Sequence, residues 1–294
     1  MRLGIVTCSK CRQLISAEQA LLPLLDQHGI VGVPVVWNYP EIDWNSFDAL
    51  LVRSIWDYHL HPNQFRQWLN TVESLQLPCW NSVSVLRWNH HKFYLRDLAS
   101  RGIPVVPTLF FEQGATDAMN QVRRLQWKHL VVKPAVSASG YRTHAFNADD
   151  SDAARILAEA TAFGDFLVQP FLPDILHSGE VSIIFFNHHY SHAVLKRPGT
   201  GEFRVQAEYG GNQLPYQPDE AVIAQAQQVL DQSGHELLYA RVDGIVTGNQ
   251  FQLMELELIE PDLFLGAREG SEKLFVEAIV TRVGFRGEGS GVRV

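Results

Sequence analysis

From Leu3 to Leu75 short apolar runs alternate with amphipathic segments. That rhythm restricts this stretch to a parallel α/β sheet. Leu3–Thr7 predicts a first buried strand, Val31–Trp37 a second and Ala49–Ile55 a third. Ser16 followed by Gln19 reads as a capping box for a helix over Ala17–His28, which Pro23 kinks and Gly29 stops. Pro62 opens a helix through Leu75 that puts Phe65, Trp68, Leu69 and Val72 on one face.

The rhythm changes after Trp88. A helix over His91–Ser100 ends at Gly102, and strands follow at Val105–Phe111 and Trp127–Pro134. Asp150 caps a helix to about Thr161. Phe166–Phe171, Val181–Asn187 and Tyr190–Lys196 read as strands, the last two as a hairpin, and Glu202–Tyr209 alternates as a further strand would. A helix over Asp219–Gln232 stops at Gly234, strands at Tyr239–Thr247 and Gln250–Glu257 come next, and a helix over Ser271–Val283 precedes a glycine-rich tail expected to be mobile. The second part is therefore α+β with antiparallel pairs. A chain of 294 residues has the length of about two domains, which puts a boundary near residue 90.

Composition excludes several functions. The chain has 24 Lys+Arg against 32 Asp+Glu, a net charge of −8, so it lacks the basic face that nucleic-acid backbones demand. No run approaches the roughly 18 apolar residues of a membrane span, and Leu3–Val6 is too short for a signal-peptide core. A cytoplasmic protein is the expectation. Three cysteines give no disulfide framework, and Cys8-x-x-Cys11 has no second pair to complete a zinc site. Redox or zinc chemistry there is the minor reading, and a pair of small residues at a strand end the major one. Oligomeric state is not encoded legibly, although a homodimer is the common arrangement.

The acidic hairpin Arg241–Glu260 carries the strongest chemical signal. Residues two apart in a strand share a face, so Glu255 and Glu257 project together, while Met254, Leu256 and Leu258 line the core side. Adjacent carboxylates repel unless a cation neutralises them, and an all-oxygen set suits Mg²⁺ or Mn²⁺. The alternative is a solvated acidic strand face. Asp243 joins the pair only if it lies opposite Glu255. That requires an odd loop centred on Asn249, or a bulge; a plain two-residue Gly248-Asn249 turn pairs Asp243 with Met254. The odd loop is the expectation.

Lys133 ends an apolar strand before the small-residue loop Ser137-Ala138-Ser139-Gly140, where backbone N–H groups can approach a phosphate. Lys92 opens the second region, and Lys196 and Arg204 bracket a glycine-containing loop. Each, taken alone, is equally a solvated surface cation.

Together these segments resemble the ATP-grasp superfamily, and within it the glutathione-synthetase-like ligases, over about residues 85–270. The resemblance implies an ATP-grasp fold behind an N-terminal Rossmann-like α/β domain: 1–90 on the substrate side, 91–165 a lid, 166–283 the metal and catalytic part, and 284–294 a flexible tail. It implies ATP and magnesium as cofactors. Lys92, Lys133, Ser137, Ser139 and Gly140 then hold phosphates, Gln169, Pro170, Phe171 and Leu172 form the adenine hinge, and Glu180 meets the ribose. Lys196 and Arg204 become the catalytic cations, followed by the expected Gly210-Gly211 as substrate-binding residues, with Asp243, Glu255 and Glu257 as metal ligands. Two departures stand out. Glu257 occupies a position where the family often has Asn, and the covering loop holds a single glycine.

Such ligases phosphorylate a carboxylate and let an amine attack it. Neither a Gly-x-Ser-x-Gly elbow nor a Walker A loop is present to suggest another route. Ligands of open α/β sheets sit at strand C-termini, which nominates Thr7, Cys8 and the run Arg53–Tyr58, with Arg53, Trp56, Asp57 and Tyr58, as readers of the second substrate. Arg53 is equally well an internal partner of Asp57, with Trp56 and Tyr58 as packing. The Arg53–Tyr58 run, the loop after Lys133-Pro134 and Glu255–Leu265 also resemble the cyclo-ligases of cycloserine biosynthesis, which activate an O-ureido-serine for ring closure. The expected activity is ATP-dependent C–N bond formation or ring closure on a small amino-acid-like substrate. The competing expectation is a nucleotide-binding protein that keeps the fold without turnover.

Overall fold

The structure, a computed structural model, describes residues 1–287; the end of the expected tail, 288–294, lies outside the described residues. The first sheet contains β1 (Arg2–Thr7), β2 (Val31–Val36), β3 (Ala49–Val52) and β4 (Cys79–Trp80) in the order β2-β1-β3-β4, with every pairing parallel. Helices α1 (Ser16–Gln19) and α2 (Leu21–Asp26) lie between β1 and β2. Proline replaces one long helix by two short ones here, and the capping box is absent. Ser16 is already helical and makes no cap bond, while the Gln19 amide donates to the carbonyls of Gln13 and Leu14. Helix α3 (Pro62–Ser74) presents the expected face, with Phe65, Trp68, Leu69 and Val72 all buried. Each contributes about 1.5–3 kcal/mol through burial. Helix α4 (Val83–Asn89), capped by Ser82, escaped the sequence reading.

Beyond it come α5 (Tyr94–Ser100), β5 (Leu109–Phe111), α6 (Ala118–Arg124), β6 (His129–Pro134), β7 (His144–Asn147), α7 (Ala153–Phe163) and β8 (Phe166–Pro170). These strands form an antiparallel sheet in the order β5-β8-β6-β7. Asp150 does not cap α7. Its carboxylate accepts from the Asn147 backbone, closing a turn instead.

The third sheet has the order β11-β10-β9-β12-β13 and is antiparallel throughout. Its strands are β9 (Glu180–Phe186), β10 (His189–Arg197), β11 (Asn212–Tyr216), β12 (Tyr239–Thr247) and β13 (Gln250–Glu257), with α8 (Asp174–His177), α9 (Glu220–Ser233) and α10 (Ser271–Gly287) packed around them. Glu202–Tyr209 is not a strand. The Glu202 carboxylate accepts from the Phe203 and Arg204 backbones and curls the chain, and Asn212–Tyr216 takes the edge of β10 instead. Helix α10 passes Gly284, since one interior glycine costs only about 1 kcal/mol.

The β12–β13 hairpin turns on a strict two-residue Gly248-Asn249 loop, with Thr247 opposite Gln250, so the expected odd loop is wrong. A bulge between Asp243 and Gly244 restores the parity, with Gly244 opposite Leu253 and Asp243 opposite Glu255. Met254 is the inserted residue. It lines the cleft, contrary to expectation, while Leu253 and Leu256 both enter the core. A Cβ on Gly244 would meet the Gln252 carbonyl and the Phe251 ring at 2.4 Å, which is why glycine stands at the bulge.

Candidate active site

A cleft of about 300 Å³ opens between the second and third sheets and is closed at one end by Trp56 and Tyr58 from the first. The end of β6 supplies Lys133, the loop after it Ser137, Ser139 and Gly140, and the end of β8 Gln169 and Pro170, followed by Phe171 and Leu172. Glu180 begins β9, Lys196 lies near the end of β10, and Asp243, Glu255 and Glu257 face in from β12 and β13. Lys92 and Arg204 also line it. The structure thus gathers every nucleotide, metal and catalytic candidate named from the sequence around one cavity.

Their electrostatics differ in kind. Lys92 is buried, donates to the Ser137 carbonyl at 2.8 Å and pairs with Glu255. Burial opposes its charge, but Glu255 outweighs burial and raises its pKa. Lys133 is also buried, yet its ammonium has no hydrogen-bond or ion-pair partner among the described residues. Burial lowers its pKa, and Lys92 adds to the effect against the pull of Glu255. Lys196 holds Glu180 at 2.5 Å and Asp243 at 3.4 Å. Arg204 pairs with Glu202 at 2.6 Å and lies over the Tyr209 ring. Tyr209 in turn reaches the Ser139 carbonyl at 3.4 Å, so the small-residue loop rests against this segment.

Sequence reasoning gives Arg241 no role, although it stands two residues before Asp243 in β12 and that parity is a signal of a shared face. It bonds Asp243 at 2.9 Å, pairs with Glu257 and donates to the Asp262 carbonyl at 3.2 Å. Burial alone would raise Asp243, but Arg241 and Lys196 outweigh it and hold the carboxyl at about 2. Burial pushes Glu257 up to about 7 despite Arg241, with Asp243 and Glu255 adding to it. Burial and then Glu257 push Glu260 up to about 8.

No group of three or more His, Cys, Asp or Glu side chains stands close enough to hold a metal ion among the described residues. The register brings Asp243 and Glu255 face to face, but Arg241 and Lys92 hold the carboxylate oxygens. In chemistry the donors fit a hard divalent cation. They are all oxygen and they line one cleft. Gathering all three around an ion requires Arg241 and Lys92 to release oxygens.

The substrate-side nominations divide. Trp56 and Tyr58 reach the cleft; Thr7, Cys8, Arg53, Asp57, Gly210 and Gly211 do not line it. Arg53 is buried, pairs with Glu18 at 3.3 Å, donates to the Pro261 carbonyl at 2.7 Å and lies 4.9 Å from the Tyr239 ring centre. It pairs with no Asp57, which accepts from Trp37 at 2.7 Å. Thr7 donates to the Cys11 carbonyl at 2.9 Å, and Cys8 is core. Gly211 is pressed against the Val205 carbonyl, where a Cβ would stand at 2.1 Å. Thr7 and Asp57 are taken up by bonds within residues 1–90, and Arg53 where residues 256–261 dock beside the first sheet. There Asn89 takes the Leu256 carbonyl, Asn81 the Leu258 carbonyl, Tyr239 the Ile259 carbonyl and Trp56 the Glu260 carbonyl. Cys11 is half-buried, and burial with Cys8 nearby pushes its thiol up to about 11, opposite to a reactive cysteine.

A family model described as the N-terminal domain of D-cycloserine synthetase DcsG matches residues 3–81. The chain is 28% identical over 283 residues to the cycloserine biosynthesis protein DcsG of Streptomyces lavendulae, covering 89% of this chain and 93% of that protein. It is similar to the crystal structure of D-cycloserine synthetase DcsG with a TM-score of 0.86 and 26% identity, over 96% of this chain and 100% of that one. The ATP-grasp ligase PsnB shares the fold at a TM-score of 0.63 and 16% identity, over 96% and 98% of the two chains. The chain has the fold of the ATP-grasp ligases. D-alanine–D-alanine ligase from Bacillus anthracis has the same fold, with a TM-score of 0.70 and 15% identity over 96% and 98% of the chains. ATP-grasp relatives have been solved with ATP in one case and with Mg and ADP in another. No helix among the described residues is long and apolar enough to cross a membrane.

Proposed function

We propose that this ligase uses ATP to phosphorylate a small amino-acid-like substrate, as an acyl phosphate or its equivalent, for C–N bond formation or ring closure. One observation carries the reading: Lys133, buried and without a partner among the described residues, lines the same cleft as the carboxylates of Asp243, Glu255 and Glu257. Lys133 and Lys92 bind nucleotide phosphates, and the loop from Ser137 to Gly140 covers them with its backbone N–H groups. Gln169 to Leu172 border the adenine, and Glu180 meets the ribose. Magnesium, held by Asp243, Glu255 and Glu257, would supply charge neutralisation to the phosphates. Lys196 and Arg204 stabilise the moving phosphoryl group and the oxyanion formed as the amine attacks. Similarity to the cycloserine protein supports a place in the biosynthesis of a small amino-acid-derived compound, with residues 1–90 on the substrate side, 91–165 as lid and 166–283 as the catalytic part.

Purified protein with Mg²⁺-ATP and a panel of amino acids and their O-substituted serine derivatives tests the reading. Substrate-dependent ADP release supports it. ATP binding without ADP release across the panel supports the competing nucleotide-binding role instead.

A further inference from the structure

Each buried or half-buried carboxylate of the cleft has a partner, with one exception. Glu180 has Lys196, Asp243 has Arg241, Glu255 has Lys92 and Glu257 has Arg241. Asp262 accepts from the Phe264 backbone at 2.8 Å. Glu260 lines the same cleft, yet its side chain has neither a hydrogen bond nor an ion pair among the described residues. Its backbone is fixed on both sides: Trp56 holds the Glu260 carbonyl at 3.0 Å and Arg53 holds the Pro261 carbonyl at 2.7 Å. An unpaired half-buried carboxylate is costly. The fixed backbone keeps this carboxyl group at the cleft, where a bound molecule can reach it.

The surroundings limit what that molecule is. Trp56, whose indole holds the Glu260 carbonyl, and Tyr58 and Phe264 line the same cleft, and aromatic faces favour a cation over an anion, as Arg241 over the Phe264 ring shows. A carboxylate accepts hydrogen bonds only, so a second carboxylate is repelled, whereas an ammonium brings three donors and a compensating charge. We propose that Glu260 is a specificity-determining residue that receives the ammonium group of the amino-acid-like substrate. The proposal rests on the ligase reading above and extends it to the substrate's charge. The rival role, a further ligand for the divalent cation, predicts a different phenotype.

The test uses Glu260→Gln, an isosteric change, with the best amino acid of the panel and its desamino analogue. Charge-assisted hydrogen bonds contribute about 1.5–3 kcal/mol, or roughly 10- to 150-fold. Wild-type protein should therefore favour the amine by on the order of 10²-fold in kcat/KM. Glu260→Gln should erase most of that preference by raising the amine KM, with ATP KM and Mg²⁺ requirement unchanged. A preference retained in the variant, or a raised Mg²⁺ requirement in its place, overturns the proposal. Wild-type protein that releases ADP with no compound overturns the ligase reading itself, a distinct outcome. If Glu260→Gln fails to fold, Glu260→Asp carries the test. It must raise the amine KM and spare the desamino analogue, and equal effects on both refute the assignment.

Discussion

Lys133 separates a functional cation from a structural one more sharply than any other residue of the cleft. Lys133→Met keeps an unbranched side chain of similar length and removes only the ammonium. Because that ammonium has no partner among the described residues, nothing is left unsatisfied by its loss. Burial lowers its pKa, so the folded state binds its proton less well than the unfolded state does. The charged lysine therefore opposes folding at neutral pH, and its removal should leave stability unchanged or raise it, at about 2 °C per kcal/mol for a chain of this size. Nucleotide affinity should move the other way. A charge-assisted bond to phosphate contributes about 1.5–3 kcal/mol, so the Kd for ATP should rise roughly 10- to 150-fold. Calorimetric titration with a non-hydrolysable ATP analogue gives the Kd, and thermal melting gives the stability. A Kd within about threefold of wild type, or a melting temperature several degrees lower, refutes the assignment.

Further outcomes follow from the same geometry. Lys92→Met should lower stability by about 1–3 kcal/mol as well as nucleotide affinity, because it leaves Glu255 and the Ser137 carbonyl without their donor, and denaturant melts read the difference from Lys133→Met. Arg53→Met should cost about 3–5 kcal/mol by stranding Glu18, and should not change substrate KM in whatever folded fraction remains; a selective KM effect would restore the substrate-reading role. Glu257 has a folded pKa of about 7, above its ordinary 4.5, so between those values the folded state holds more protons than the unfolded state. Metal-free protein should then lose stability as pH rises from about 4.5 to 7, and Glu257→Gln should flatten that slope in urea melts at a series of pH values. Gly244→Ala should destabilise by about 1–3 kcal/mol through the clash at the bulge and reduce turnover by displacing Asp243, both measurable on the purified variant.

Sequence alone resolves this molecule unevenly, for physical reasons. Helix α3 was legible because burial enforces one face over 13 residues, and β9 because it is an apolar run buried on both faces. The short elements α4, α6 and β7 offered neither a long period nor an unbroken apolar run. The need for Asp243 to oppose Glu255 was readable from parity, but whether a loop or a bulge supplied the extra residue was not, because both satisfy the same count. Strand-end logic nominated Thr7, Cys8 and Arg53 as strand-end residues, yet it could not see that Thr7 turns to the Cys11 carbonyl, that Cys8 enters the core and that Arg53 donates to the Pro261 carbonyl. Arg241 was the reverse case: its parity with Asp243 was in plain view, and only the chemistry of a cation beside the expected metal ligands hid it.

The central claim is that ATP activates the substrate by phosphoryl transfer within this cleft. Its most direct test is turnover of a substrate labelled with ¹⁸O in the carboxyl group, followed by mass analysis of the released phosphate. Transfer of one ¹⁸O to phosphate for each ADP formed, lost together with ADP formation in Glu255→Ala, is the predicted result. ADP formation with unlabelled phosphate would contradict it.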